Sequence, residues 1–196
     1  MRRFVIIGHD APVEATFPLD DLPGAGGRLD VLCRAVTAAL LESHGIRADA
    51  EITTVHQDAL SITFAGDAIR NLRPDERSTA ARFRTALEAA SDAVGAIPAE
   101  PAPGIAVYRR GLVETLETVP GSVIQLHPAG EPITTLSPTA DLTFVLSDHR
   151  SVTDEDQETI EAVADRRVSI GPIAVHADQA ITIAHNYLDT DGYRSY

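Results

Sequence analysis

Short segments of strand character alternate with segments of helical period along almost the whole chain, and that alternation admits few folds. Arg3 to Gly8 reads as a strand, and the Pro-Gly-rich run Leu22 to Gly27 precedes a helix. Its apolar residues Leu29, Leu32, Cys33, Val36 and Leu40 share one face until Gly45 stops it. Glu51 to His56 and Ser61 to Ala65 read as strands joined by Gln57 to Leu60. Pro74 opens a helix with Asp75 and Glu76 in its first turn and a stripe of Ala80, Phe83, Leu87, Ala90 and Val94, ended by Gly95. The proline-rich stretch Ile97 to Gly104 predicts a stiff surface connection, either a boundary or a long loop. Beyond it come the strand Ile105 to Tyr108, the amphipathic piece Leu112 to Val119 and the strands Val123 to His127 and Leu142 to Leu146. Thr153 with Asp156 forms a capping-box pattern opening a helix that runs to Val163 to Asp165. A strand Val168 to Ile170 then leads into a last helix with Ala177, Ala180, Ile181, Ala184 and Leu188 on one face. The expected class is α/β, a mostly parallel sheet with helices on both faces.

The composition fits one self-sufficient unit of 196 residues, of which 44% are apolar. No stretch approaches the roughly 20 consecutive apolar residues of a membrane span, and the N-terminus lacks the plan of a secretory signal, so a cytoplasmic protein away from the membrane is expected. Cys33 is the only cysteine, which leaves no internal disulfide and no thiolate zinc site, and the histidines show no metal-ligand spacing; no metal is expected. All 16 basic residues are arginine, and the net charge is −13. Such a surface suits a salt-rich cytoplasm, where self-repulsion is screened over about 3 Å at molar salt, and we infer a halophilic source. The absence of lysine excludes a P-loop and Schiff-base chemistry. Any RNA bound here would have to be held by local arginine clusters together with shape and stacking. The candidates are Arg28 with Arg34, Arg70 with Arg73 and Arg77, and Arg109 with Arg110, each of which could equally be solvated surface charge.

Ligands of open α/β sheets bind beyond the carboxyl ends of the strands. Three loops lie there: Leu126 to Gly130 (LHPAG), Ser147 to Arg150 (SDHR) and Gly171 to Ala177 (GPIAVHA). Their glycines and prolines let backbone groups approach a purine, and Leu126, Leu146 and Ile173 offer apolar faces. On spacing alone they could also be simple turns.

Longer motifs add to this. The set LDDLPGAGGRLDVLCR (Leu19 to Arg34), RPDER (Arg73 to Arg77), GIAVYRRG (Gly104 to Gly111), LHPAGE (Leu126 to Glu131), LSDH (Leu146 to His149), VSIGP (Val168 to Pro172) and HADQAITIAHNYLD (His176 to Asp189) resembles the archaeal tRNA pseudouridine-54 N1-methyltransferases of the SPOUT superfamily. The resemblance covers nearly the full length in family order. It implies a deep C-terminal trefoil knot, a homodimer with sites at the interface, and S-adenosylmethionine bound in the knot. Within a single domain, residues 1–96 would carry RNA-contacting loops and helices, and 104–196 the knotted cofactor part. Carried over motif by motif, the cofactor residues are Leu126, Gly130, Ser147, Asp148, Gly171, Pro172, Val175 and Ala180, acting largely through backbone. Relatives carry glycine in place of Ser147 and Asn-His-Cys in place of Asp178-Gln179-Ala180, so a thiol at that place is not required here.

The implied substrate is the T-loop of a tRNA containing pseudouridine, methylated at N1 to 1-methylpseudouridine. An activated sulfonium methyl needs only an aligned nucleophile and removal of the N1 proton. Asp30 is the candidate base, with Arg28 and Arg34 orienting the base edge or flanking phosphates across the dimer. Asp30 and Arg34 also have the i, i+4 spacing of a structural ion pair. His127 and His176 flank the expected pocket and read better as hydrogen-bonded loop residues, while His185 and Asn186 are expected to pack against a partner subunit. Two further readings stand beside this one: an enzyme of the same fold acting on another RNA nucleotide, and a non-catalytic RNA-binding dimer.

Overall fold

The structure is a computed structural model describing residues 1–196. Ten strands and five helices follow in the order β1 (Arg2–Gly8), α1 (Leu29–Leu40), β2 (Leu41–Glu42), β3 (Gly45–Ile46), β4 (Ala50–His56), β5 (Leu60–Ala65), α2 (Glu76–Glu88), β6 (Ala99–Ala102), β7 (Ile105–Tyr108), α3 (Leu112–Thr118), β8 (Ser122–Pro132), β9 (Leu142–Ser147), α4 (Asp154–Val163), β10 (Arg166–Ser169) and α5 (Ala177–Asp189). Eight of the strands form one sheet in the order β10-β8-β9-β1-β4-β5-β7-β6, and β2 with β3 makes a two-residue hairpin. From β10 to β4 every pairing is parallel, while β5, β7 and β6 continue the sheet as antiparallel neighbours.

The central strand β1 is apolar on both faces because both are covered. Phe4 and Ile6 join the larger core under α1, α2 and α5, whereas Val5 and Ile7 join a smaller core under α3 and α4. The α/β class with helices on both faces is therefore as the alternation of the sequence predicts. Asp75 caps α2 by accepting from the Ser78 N–H at 2.8 Å, and the Thr153–Asp156 capping box opens α4.

Four expectations are corrected. The stretch Ile97 to Gly104 is not a plain connection: it holds β6, which pairs with β7 at the edge of the sheet, where proline is tolerated. Val94 leaves the apolar stripe of α2, because that helix ends at Glu88; Val94 is bridged to Ile97 and exposed. The segment Leu126 to Gly130 does not follow its strand but lies inside β8. His185 does not face outward: it is buried within the chain, edge-on to Phe4 at 5.0 Å with Nε2 donating to the Ala39 carbonyl at 3.0 Å.

Candidate functional site

A break in one ladder builds the site. Strand β10 pairs with β8 through Arg167 opposite Gln125 and then, at the next residue, Val168 opposite Glu131, so Leu126 to Gly130 have no partner and loop out of the sheet. Gly130 makes this possible, since a Cβ there would lie 2.5 Å from the Val168 carbonyl carbon. The next strand, β9, ends at Ser147 and delivers Ser147 and Asp148 beside the bulge. At the end of β10 the Ser169 hydroxyl donates to the Gly171 carbonyl at 2.7 Å, folding the chain into the Gly171–Ala177 turn that precedes α5.

These three segments enclose a cavity of about 390 Å³. Leu126, Ser147, Asp148, Gly171, Val175 and Ala180 all line it, together with Leu146 and Ile173. Gly130 and Pro172 line an adjoining cavity that shares Ser169, Ile170 and Gly171 with the first. The eight candidate residues, from four separate parts of the sequence, thus converge on two connected spaces. One polar atom is left over: the Ser147 hydroxyl is buried and has no hydrogen-bond partner.

Asp148 is held from three sides. Its carboxylate accepts from the His9 N–H at 2.9 Å and the Arg150 N–H at 2.8 Å, and the His9 ring lies 3.1 Å away through Nδ1. The other ring nitrogen of His9 reaches Asp156 at 3.1 Å, which ties β1 and β9 to the first turn of α4. Gln157 and Asp154 from that turn also line the cavity. Sequence reasoning missed His9, Asp154, Asp156 and Gln157 as parts of this region. The capping box located the start of α4 but carried no sign that it faced the cavity.

Arg28, Asp30 and Arg34 form a second cluster. Arg28 occupies a left-handed conformation at φ 60°, following Gly27, whose added Cβ would meet the Asp10 carbonyl oxygen at 2.0 Å. Its guanidinium donates two bonds to the Asp30 carboxylate, at 3.0 and 3.2 Å. Arg34 donates to Asp30 at 3.1 Å and to Glu76 of α2 at 2.9 Å. Burial would raise the Asp30 carboxyl, but the bonds from Arg28 and Arg34 outweigh it and hold it below the usual range. The structural pairing of Asp30 with Arg34 is thus real. The cluster does not line the cavity, yet Arg28 lies close enough to Asp148 to feel its charge.

His127 turns its Nδ1 onto the Ala129 N–H at 3.1 Å, stiffening the bulge. His176 caps the approach to α5 on an exposed surface. No three His, Cys, Asp or Glu side chains are grouped to hold a metal ion. Burial pushes the Cys33 thiol up, as suits a packing residue on α1.

Comparison with known proteins agrees with this geometry. Over its full length the chain is 53% identical to the complete tRNA (pseudouridine(54)-N(1))-methyltransferase of Haloarcula marismortui. It is 48% identical, again end to end, to the protein of the same name from Haloferax volcanii. With the namesake from Methanocella arvoryzae it shares 38% identity over 94% of this chain and 97% of the relative. Among solved structures, Archaeoglobus fulgidus Nep1 bound to S-adenosylhomocysteine superposes with a TM-score of 0.67 over 96% of this chain and 97% of that one, at 12% identity. That likeness shows the fold alone, an α/β sheet with helices on both faces. Residues 1–193 match the family model described as "Putative SAM-dependent RNA methyltransferase", and the chain belongs to that family of S-adenosylmethionine-dependent RNA methyltransferases.

Proposed function

We propose that this protein transfers a methyl group from S-adenosylmethionine to N1 of pseudouridine 54 in tRNA. The observation that carries the reading is the end-to-end 53% identity to an enzyme of that name. The cavity built by the β8 bulge and the ends of β9 and β10 fits it.

The residues present suit the cofactor. Leu126, Leu146 and Ile173 offer apolar surface for the adenine, and the carboxylates of Asp148 and Asp154 suit a positively charged ligand. The buried, unpartnered Ser147 hydroxyl is a polar atom awaiting a ligand. We assign Leu126, Ser147, Asp148, Gly171, Val175 and Ala180 to its main contacts, with Gly130 and Pro172 shaping the adjoining wall. When bound, S-adenosylmethionine supplies a methyl group already activated on a sulfonium. The protein's own work is alignment and proton removal. The rigid frame around Asp148 fixes the cavity wall, and across the proposed dimer Arg28 and Arg34 would hold the substrate edge at the partner's cavity, with Asp30 as the acceptor of the N1 proton.

A homodimer belongs to the same proposal. Its support is the apolar surface at the cavity mouth, where Ile173 is 74% and Val175 41% exposed. Light scattering of the purified protein should give twice the chain mass. No helix is long and apolar enough to cross a membrane, which accords with work on cytoplasmic tRNA. The −13 net charge and the haloarchaeal relatives support a salt-rich interior. Within the single unit, residues 1–96 would meet RNA and 104–196 the cofactor.

Transfer of labelled methyl in concentrated KCl to matched tRNAs bearing pseudouridine or uridine at position 54 tests the function. Product on the pseudouridine tRNA alone, identified as 1-methylpseudouridine, is expected. Transfer to neither substrate by folded protein would defeat the reading.

A further inference from the structure

The arginines divide into two groups. Arg2, Arg3, Arg28, Arg34, Arg47, Arg150, Arg166 and Arg167 lie against carboxylates. The other half of the 16 do not, and five of these, Arg70, Arg73, Arg77, Arg82 and Arg84, fall in one segment around the start of α2. Against them the segment Arg70 to Arg84 sets only Asp75 and Glu76, a balance of +3, so the rest of a −13 chain stands at −16. A concentration of unpaired cations in so acidic a protein calls for an anionic partner.

The segment is held in shape by the bonds its arginines do make. Arg82 donates to the carbonyls of Arg70 and Asn71, each at 2.7 Å, across a turn in which Asn71 has φ 55°. Arg84 donates to the Phe17 carbonyl at 2.7 Å and lies over its ring at 5.3 Å. Carbonyl partners fix these side chains without neutralising them. Arg73 and Arg77 are exposed and make no hydrogen bond to the protein. Position adds the second argument. Glu76 binds Arg34, Arg34 binds Asp30, Asp30 binds Arg28, and Arg28 feels Asp148 at the wall of the cavity. A chain of charged contacts therefore leads from the first turn of α2 along the start of α1 toward the cavity.

We propose that the Arg70–Arg84 segment is the phosphate-docking strip for the substrate RNA, with Arg73 and Arg77 free to reach the phosphates and Arg82 and Arg84 keeping the strip in place. This rests on the RNA methyltransferase reading above. A sugar-phosphate backbone supplies anions spaced along a line, which suits cations spread over a loop and the first turns of a helix.

The test uses full-length protein and the pseudouridine-54 tRNA. The Arg73→Ala/Arg77→Ala variant should bind this tRNA about tenfold more weakly and raise its KM accordingly, with kcat and S-adenosylmethionine affinity unchanged. Its plot of log affinity against log KCl should be shallower than wild type by about one for each arginine removed. Arg194→Ala, an exposed and unpaired arginine outside the strip, should match wild type. Unchanged tRNA affinity and salt slope in the double variant would overturn the strip. Wild type that binds the tRNA but transfers no methyl would defeat the functional reading, while affinity and slope still decide the strip.

Discussion

Ser147 sets a buried, unpartnered hydroxyl at the cavity wall. A buried hydroxyl without a partner costs about 1–3 kcal/mol. Ser147→Ala should leave the melting temperature of the ligand-free protein unchanged or slightly raised. If the hydroxyl bonds the cofactor, calorimetry should at the same time show S-adenosylmethionine binding weakened by about threefold to tenfold. Asp30 poses a sharper question, because the two arginines that hold its carboxyl below the usual range also make it a weaker base. Asp30→Asn keeps the shape and one acceptor oxygen. Loss of kcat by about a hundredfold or more, with cofactor affinity intact, marks Asp30 as the proton acceptor. A change in tRNA KM alone would make it a positioning residue for Arg28 and Arg34.

Among the elements, the bulge in β8 matters most. His127, Pro128 and Gly130 marked a loop in the sequence, and its place at the carboxyl end of the sheet followed from the order of elements. What could not be read was that the strand resumes after it, because the register is set by β10, some forty residues further on. The edge strand β6 was hidden for a different reason: its proline reads as a breaker, and only the edge position makes it acceptable. His9 was legible neither as motif nor as period, since Asp148 and Asp156 come to it through the parallel pairing of β1 with β9. By contrast, the cavity residues at the strand ends were legible, because strand ends and their motifs are local in sequence, whereas Asp154 and Gln157 on α4 were not. Gly130→Ala tests the bulge as a unit. With the Val168 backbone within 2.6 Å of the new methyl, strand and bulge must separate. The variant should lose cofactor binding outright and about 1–3 kcal/mol of stability, read by isothermal titration and denaturant unfolding.

At the scale of the molecule, two buried histidines bind distant parts of the fold together. His56, at the end of β4, bonds the Pro12 carbonyl at 2.8 Å and so fastens the loop that follows β1. His185 fastens α5 to α1 through Ala39. Burial lowers His56 from the ordinary 6.5 to about 4. Burial, with Arg47 and Arg2 adding to it, does the same to His185, again to about 4. Both rings are therefore neutral in the folded protein and take up a proton on unfolding wherever the pH is below 6.5. Between pH 6.5 and 4 the unfolded state binds more protons, so stability falls as the pH falls through that window, by as much as about 3 kcal/mol for each ring at its lower end. The arginine-paired carboxylates Asp30 and Asp189 are lowered from 3.8 and add their loss only below the histidine window. Denaturant unfolding at constant high KCl should show the decline beginning near pH 6.5, and in His56→Gln its slope should be reduced by one proton. A stability that stayed flat to pH 4 would mean that neither ring is neutral by virtue of the fold, and the carboxylates alone would then govern acid unfolding.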